Sequence, residues 1–79
     1  MNPEEARFQK RSVALSGHKT SVALEKAFWR VLEEAALAQD ISLNRLIQDI
    51  DSRRTGSLSS ALRLYALLHA PFKHPPRNS

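Results

Sequence analysis

The sequence predicts a mainly α protein: one short N-terminal β-strand, then three helices, completed by a second copy of the chain. Three observations carry this. Apolar residues alternate in twos around residues 18–24. Beyond that point they recur at helical spacing in three separate stretches. The chain has 79 residues and no cysteine, so it buries only about 60% of its unfolded surface alone and has no disulfide to compensate. Oligomerisation is the remaining source of stability.

The strand comes first. Val13 and Leu15 alternate on odd positions, Val22 and Leu24 on even ones, and Gly17 lies where the parity changes. A glycine at such a switch predicts a bulge or bend, with a short strand over 18–24 beyond it. Val22 and Leu24 then face inward, and Lys19, Ser21 and Ala23 face outward. Its backbone needs a partner. The choices are a small hairpin through Gly17, using residues 11–16, or the same strand of a second chain. The marginal size favours the second chain.

The helices follow. Over residues 25–39, Phe28, Val31, Leu32, Ala35 and Ala36 form one stripe, and Trp29 widens it as a packed aromatic. Over 42–52, Leu43, Leu46, Ile47 and Ile50 form a second, with Ser42 as N-cap. The break at 53–57 holds Gly56, suited to a left-handed turn, and Arg53 and Arg54 favour the preceding helix C-terminus. Ser57 caps a third helix over 58–70, where Leu58, Ala61, Leu62, Tyr65 and Leu68 line one face and Leu64 and Leu67 broaden it. Residues 1–10 read as a loose arm, 11–70 as the domain, and 71–79, with three of the four prolines, as an extended tail. No long internal repeat is evident.

Twelve lysines and arginines against eight acids give a net charge of +4, which favours an anionic partner. The excess lies outside the middle of the chain: +2 over residues 1–24, −1 over 25–56 and +3 over 57–79. No apolar run approaches the roughly 20 residues of a membrane span, and the start lacks a signal-peptide core, so the expectation is a cytoplasmic protein. No cofactor and no metal are expected: His69 and His74 lie on either side of Pro71 without a carboxylate beside them. The serines sit in no nucleophile motif and no phosphate loop occurs, so the chain is not expected to be an enzyme.

An alternating strand running directly into a helix, a short polar turn, and S-L-N opening the next helix, within TSVALEKAFWRVLEEAALAQDISLNRLIQDI at 20–50, resembles the ribbon-helix-helix plan of the Arc/MetJ superfamily. More narrowly, GHKTSVALEKAFWRVL and the later LSSALRLYAL are similar to a group of small bacterial ribbon-helix-helix domain proteins, over about residues 11–70. The resemblance implies an intertwined homodimer whose strands pair antiparallel between chains, and a ribbon that enters the major groove of double-stranded DNA. Lys19, Ser21 and Ala23 would then meet base edges. Ser42, Leu43 and Asn44, at a helix N-terminus with free amides, would grip a phosphate. Arg45 reads as a further phosphate contact or as an exposed helical arginine, and Lys10 and Arg11 as a basic arm along the backbone or as solvated side chains. Asp40 would repel DNA locally. The function this implies is a dimeric DNA-binding transcriptional regulator. The alternative is a protein-interaction module, antitoxin-like or for assembly, that keeps the fold and uses its wide third helix on a protein partner.

Overall fold

A computed structural model describes residues 3–70. The order is α1 (Pro3–Ala6), β1 (Phe8–Leu15), β2 (His18–Glu25), α2 (Lys26–Ala38), α3 (Leu43–Arg53) and α4 (Leu58–His69). The expected helices are present with ends moved by a residue or so. The strand over 18–24 is present too, but it is not alone. Strands β1 and β2 form an antiparallel two-stranded sheet within one chain, from Phe8 opposite Glu25 to Leu15 opposite His18. The chain thus has two strands where one was expected, and because β1 pairs with β2 an unpaired strand no longer compels a dimer. The first ten residues are likewise not all a loose arm, since Phe8, Gln9 and Lys10 belong to β1. The expectation for 71–79 lies outside the described residues.

The hairpin turns on two residues. Ser16 has φ 50° and Gly17 φ 80°, the pair of left-handed conformations of a type I′ turn, whose twist matches that of the strands. The parity switch has the same origin. A two-residue loop pairs odd positions with even ones, so an inward face is odd before it and even after it. Gly17 thus marks a tight turn rather than a bulge. Gly17→Ala is expected to lower stability by about 1 kcal/mol in urea unfolding, because an L-residue is strained at positive φ. An added Cβ would meet no atom within 4 Å, so the whole effect is backbone. An unchanged midpoint would contradict this turn.

The inner faces of the strands and three helices enclose one core. Val13, Val22, Leu24, Trp29, Leu32, Ala36, Leu46, Ile47, Ile50, Leu62 and Ala66 are buried in it. Phe28, Val31 and Ala35 sit at its margin, so the deep stripe of α2 is Trp29, Leu32 and Ala36. The inner face of β1 also holds two polar residues. The Trp29 indole Nε1 donates to the Gln9 carbonyl at 2.7 Å, and the Arg11 guanidinium lies 4.9 Å from the Trp29 ring centre. Arg11 also pairs with Glu33 at 2.6 Å and donates to the Gln9 side chain. A polar side chain faces inward here because it lids an aromatic and meets a charge.

The helix ends follow local chemistry. Helix α2 closes with the Ile41 amide on the Ala36 carbonyl and the Asp40 amide on that of Leu37, a Schellman closure with Asp40 at φ 58° in the position glycine usually fills. Ser42 caps α3 through the Arg45 amide at 3.0 Å, and Ser57 caps α4 through that of Ser60 at 3.1 Å. Gly56 is not left-handed, contrary to expectation. The turn before α4 is held by Arg54, which donates to the Gly56 carbonyl and pairs with Asp51.

Candidate nucleic-acid interface

With Val13, Val22 and Leu24 turned into the core, the opposite face of the hairpin is left to solvent. It carries Lys10, Ser12 and Ala14 from β1 and Lys19, Ser21 and Ala23 from β2. All are exposed except Ala23, which is half-buried. Across the ribbon Lys10 lies opposite Ala23, Ser12 opposite Ser21, and Ala14 opposite Lys19. None of the six is acidic. Neither lysine forms an ion pair among the described residues, so both ammonium groups are available to an anion. The sequence-predicted outward set Lys19, Ser21 and Ala23 is thus half of a face, and β1 supplies the rest. Lys10, expected in an arm beside the site, is within it.

The first turn of α3 lies against the edge of this ribbon. Asn44 accepts from the Ala14 amide at 2.9 Å and donates to the Ala14 carbonyl at 3.0 Å, and Gln48 donates to the same carbonyl at 3.1 Å. The Asn44 side chain is thus spent on positioning: it satisfies one residue of the β1 edge, which would otherwise present free backbone groups, and fixes α3 beside the hairpin. The backbone amides of Leu43 and Asn44 belong to the first helical turn, which has no internal partner for them. They remain the donors a phosphate would meet, with the positive end of the helix dipole behind them. The Leu43 side chain is half-buried against the core and contributes only its backbone there. Ser42 uses its hydroxyl as the cap. Arg45 points to solvent, and its Nε lies 3.3 Å from Asp49, an exposed pair of small energetic weight that a phosphate can compete for.

Arg11 differs from the other candidates. Its guanidinium is held by Glu33, Gln9 and the Trp29 face on the inner side of the sheet. It stabilises the hairpin and does not join the outer face.

The base of the ribbon is tied down separately. Glu25 accepts from Arg63 at 3.0 Å, and the same guanidinium lies 5.9 Å from the Phe8 ring centre. The Glu25 carboxylate is held below its ordinary range by a hydrogen bond from its own backbone and by Arg63, against a desolvation that raises it. It is ionised at neutral pH and paired with Arg63, so the one acid on the outward parity of β2, at the base of the ribbon, carries a cation with it. Sequence reading gives no role to Arg63, Gln48 or Gln9, since polar residues on helices and strands carry no periodic signal of the contacts they make.

Among the described residues no group of three metal-ligating side chains occurs, and no helix is long and apolar enough to cross a membrane.

Comparison with known proteins agrees with the architecture. A family described as a ribbon-helix-helix domain matches residues 8–70. Such domains are generally DNA-binding regulators and generally not enzymes, and they typically dimerise. Among solved structures, the chain is similar to an uncharacterized protein from Bordetella pertussis Tohama I, with a TM-score of 0.75 and 33% identity. The match covers 85% of this chain and 58% of that one, so this chain spans little more than half of its relative. No curated protein matches the chain.

Proposed function

The chain belongs to the ribbon-helix-helix domain family, and from that membership we propose a DNA-binding protein and regulator of transcription whose hairpin occupies the major groove of double-stranded DNA. The observation that carries this reading is the outer face of the hairpin, where the six positions between Lys10 and Ala23 hold two unpaired lysines and no acid and Glu25 at the base is neutralised by Arg63, joined through Asn44 to the first turn of α3. The major groove admits a two-stranded ribbon. In that pose Lys10 and Lys19 reach the guanine edge, Ser12 and Ser21 donate to or accept from several bases, and Ala14 and Ala23 offer only a methyl-sized contact to thymine. The amides of Leu43 and Asn44 and the Arg45 side chain meet the flanking phosphate backbone, which fixes the register without reading sequence. The setting that goes with this function is the bacterial cytoplasm, and no cofactor enters the reading.

A homodimer is part of the proposal. Its support is α4, where Leu64, Leu67 and Leu68 stay 58%, 53% and 73% exposed. Leu64 and Leu68 border a cleft of about 430 Å³ with Ile50 and Tyr65, and Leu67 borders another of about 390 Å³ with Phe28 and Val31. The same exposed leucines favour the second reading, a protein-interaction module, if the partner that covers them is another protein.

Salt separates the two readings. Binding to a short duplex should fall log-linearly with salt at a slope near −0.9 per phosphate neutralised. Arg45→Ala should shallow that slope by about 0.9 and weaken all sequences alike. Lys26→Ala is the control, since Lys26 is 3.7 Å from Glu4 and outside the face. Salt-independent or undetectable duplex binding would move the interaction module ahead.

A further inference from the structure

The two clefts that border α4 differ in charge. The one beside Leu67 has the carboxylates of Glu5 and Glu25 on its wall, held by Arg30 and Arg63. The one between α3 and α4, about 430 Å³, is walled by two arginines and by no acid among the described residues. Its volume lies in the range of small-molecule sites, about 300–1,000 Å³. It is also divided along its length. Arg53, Arg54 and Thr55 border it at the N-terminal end of α4, beside the capping residue Ser57. Leu64, Tyr65 and Leu68 border it toward the C-terminal end. From Ser57 to Leu68 the helix rises about 16 Å. At the polar end Arg54 is spent on the turn: it pairs with Asp51 at 2.5 Å and donates to the Gly56 carbonyl at 2.6 Å. Arg53 is not spent. It is exposed and forms no ion pair among the described residues, and Asp49, the next acid along α3, is taken by Arg45. The apolar end is fixed in shape. The Tyr65 ring stacks on His69 with centres 4.0 Å apart, and its hydroxyl accepts from the Gln39 side chain at 2.8 Å. Leu64 and Leu68 leave more than half of their surface to water.

We propose that the cleft between α3 and α4 binds a free amphipathic carboxylate of the medium-chain fatty acid class, with its head on Arg53 and its acyl chain along Leu64, Tyr65 and Leu68. Charge complementarity decides the occupant. A neutral apolar compound would leave the Arg53 guanidinium unused, and a small anion would leave the leucines in water. A carboxylate on an alkyl chain satisfies both ends: the planar guanidinium matches its two oxygens, and burial of the chain removes apolar surface from water. The Thr55 hydroxyl, which makes no hydrogen bond among the described residues, is a further donor beside the head. The cleft beside Leu67 does not attract the same ligand, because it carries carboxylates of its own. On this reading a second copy of the chain covers Leu67, Phe28 and Val31 and leaves the cleft between α3 and α4 open. The inference goes beyond the DNA-binding reading and does not rest on it, since Arg53 and α4 lie outside the hairpin's outer face and the first turn of α3.

Titration of the isotopically labelled full chain with octanoate and decanoate, both kept below their micelle concentrations, tests this through backbone amide shifts. Saturable shifts should fall on Arg53 to Ser57 and on Leu64 to Leu68, and Ala27 and Val31, in the wall of the other cleft, should not move. Decanoate should bind more tightly than octanoate by up to about tenfold, because two more methylenes are covered. Octanol, the chain without the charge, and acetate, the charge with almost no chain, should each bind about tenfold more weakly than octanoate or worse. Arg53→Ala should weaken octanoate about tenfold and leave octanol unchanged. Its urea midpoint should match the wild type, because the side chain is exposed and unpaired. Equal binding of octanoate and octanol, or an Arg53→Ala variant that binds octanoate as the wild type does, overturns the carboxylate site. Shifts spread over every amide mark detergent action and overturn it as well. Sedimentation with phosphatidylglycerol vesicles, without shifts from either free acid, makes this a membrane contact and overturns the free-ligand proposal. Leu64 and Leu68 unmoved by decanoate, in a chain that sediments as a dimer, make the cleft an interface between copies and overturn it too. None of these outcomes bears on duplex binding by the hairpin, so the two readings fail separately.

Discussion

Trp29→Ala is expected to cost about 3–5 kcal/mol, the usual range for emptying a buried aromatic site. A chain of this length holds about 4–12 kcal/mol in total, so the variant should be largely or wholly unfolded at 37 °C. The effect is large because one side chain serves three elements. The indole fills the space between the hairpin and the helices with no exposed surface, and its Nε1 donates to the Gln9 carbonyl at 2.7 Å. Its face carries the Arg11 guanidinium, which Glu33 also holds. Trp29→Phe keeps most of the apolar contact but removes the donor to Gln9, so its cost should be about 1–3 kcal/mol. Urea unfolding followed by circular dichroism measures both. A loss below about 1 kcal/mol in Trp29→Ala would contradict the packing described here.

The largest functional effect is expected from reversing both outer lysines. Lys10→Glu with Lys19→Glu replaces two attractions by two repulsions in the groove, and affinity for any duplex should fall by on the order of a hundredfold or more near physiological salt. Stability should change little, because both side chains are exposed and neither forms an ion pair among the described residues. The contrast is Arg11→Gln. Arg11 is the immediate neighbour of Lys10, yet its change should lower stability through loss of Glu33 and Trp29 and shift DNA affinity only as the fold weakens. Equal behaviour of the two variants would mean that the inner and outer faces are misassigned.

Much of this fold is legible in the sequence, for a physical reason. Amphipathic helices announce themselves by spacing: Leu46, Ile47 and Ile50 are buried as their period demands, and Ser42 and Ser57 cap the helices they precede. Strand β2 is legible because Val22 and Leu24 are apolar. Strand β1 is only half legible. Its inward positions include Gln9 and Arg11, whose place is set by Trp29 and Glu33 some 20 residues away, and no local pattern carries that information. With β1 obscured, β2 shows no partner within its own chain, and Lys10 and Arg11 read together as an arm although adjacent strand residues face opposite sides. The candidate site divides in the same way. Lys19 and Ser21 follow from alternation alone. The pairing of Lys10 with that face needs the register, and the engagement of Asn44 with the Ala14 backbone needs the packing of α3 on the sheet.

The most direct measurement is a nuclear magnetic resonance titration of the isotopically labelled chain with a short duplex, following every backbone amide. The account predicts that the largest shifts fall on Lys10 to Ala14, Lys19 to Ala23 and the first turn of α3 at Leu43 to Arg45, and that they shrink as salt is raised. Shifts confined to Leu64, Leu67 and Leu68 on α4, or no shifts at low salt, would contradict the claim that the hairpin's outer face is a DNA-binding surface.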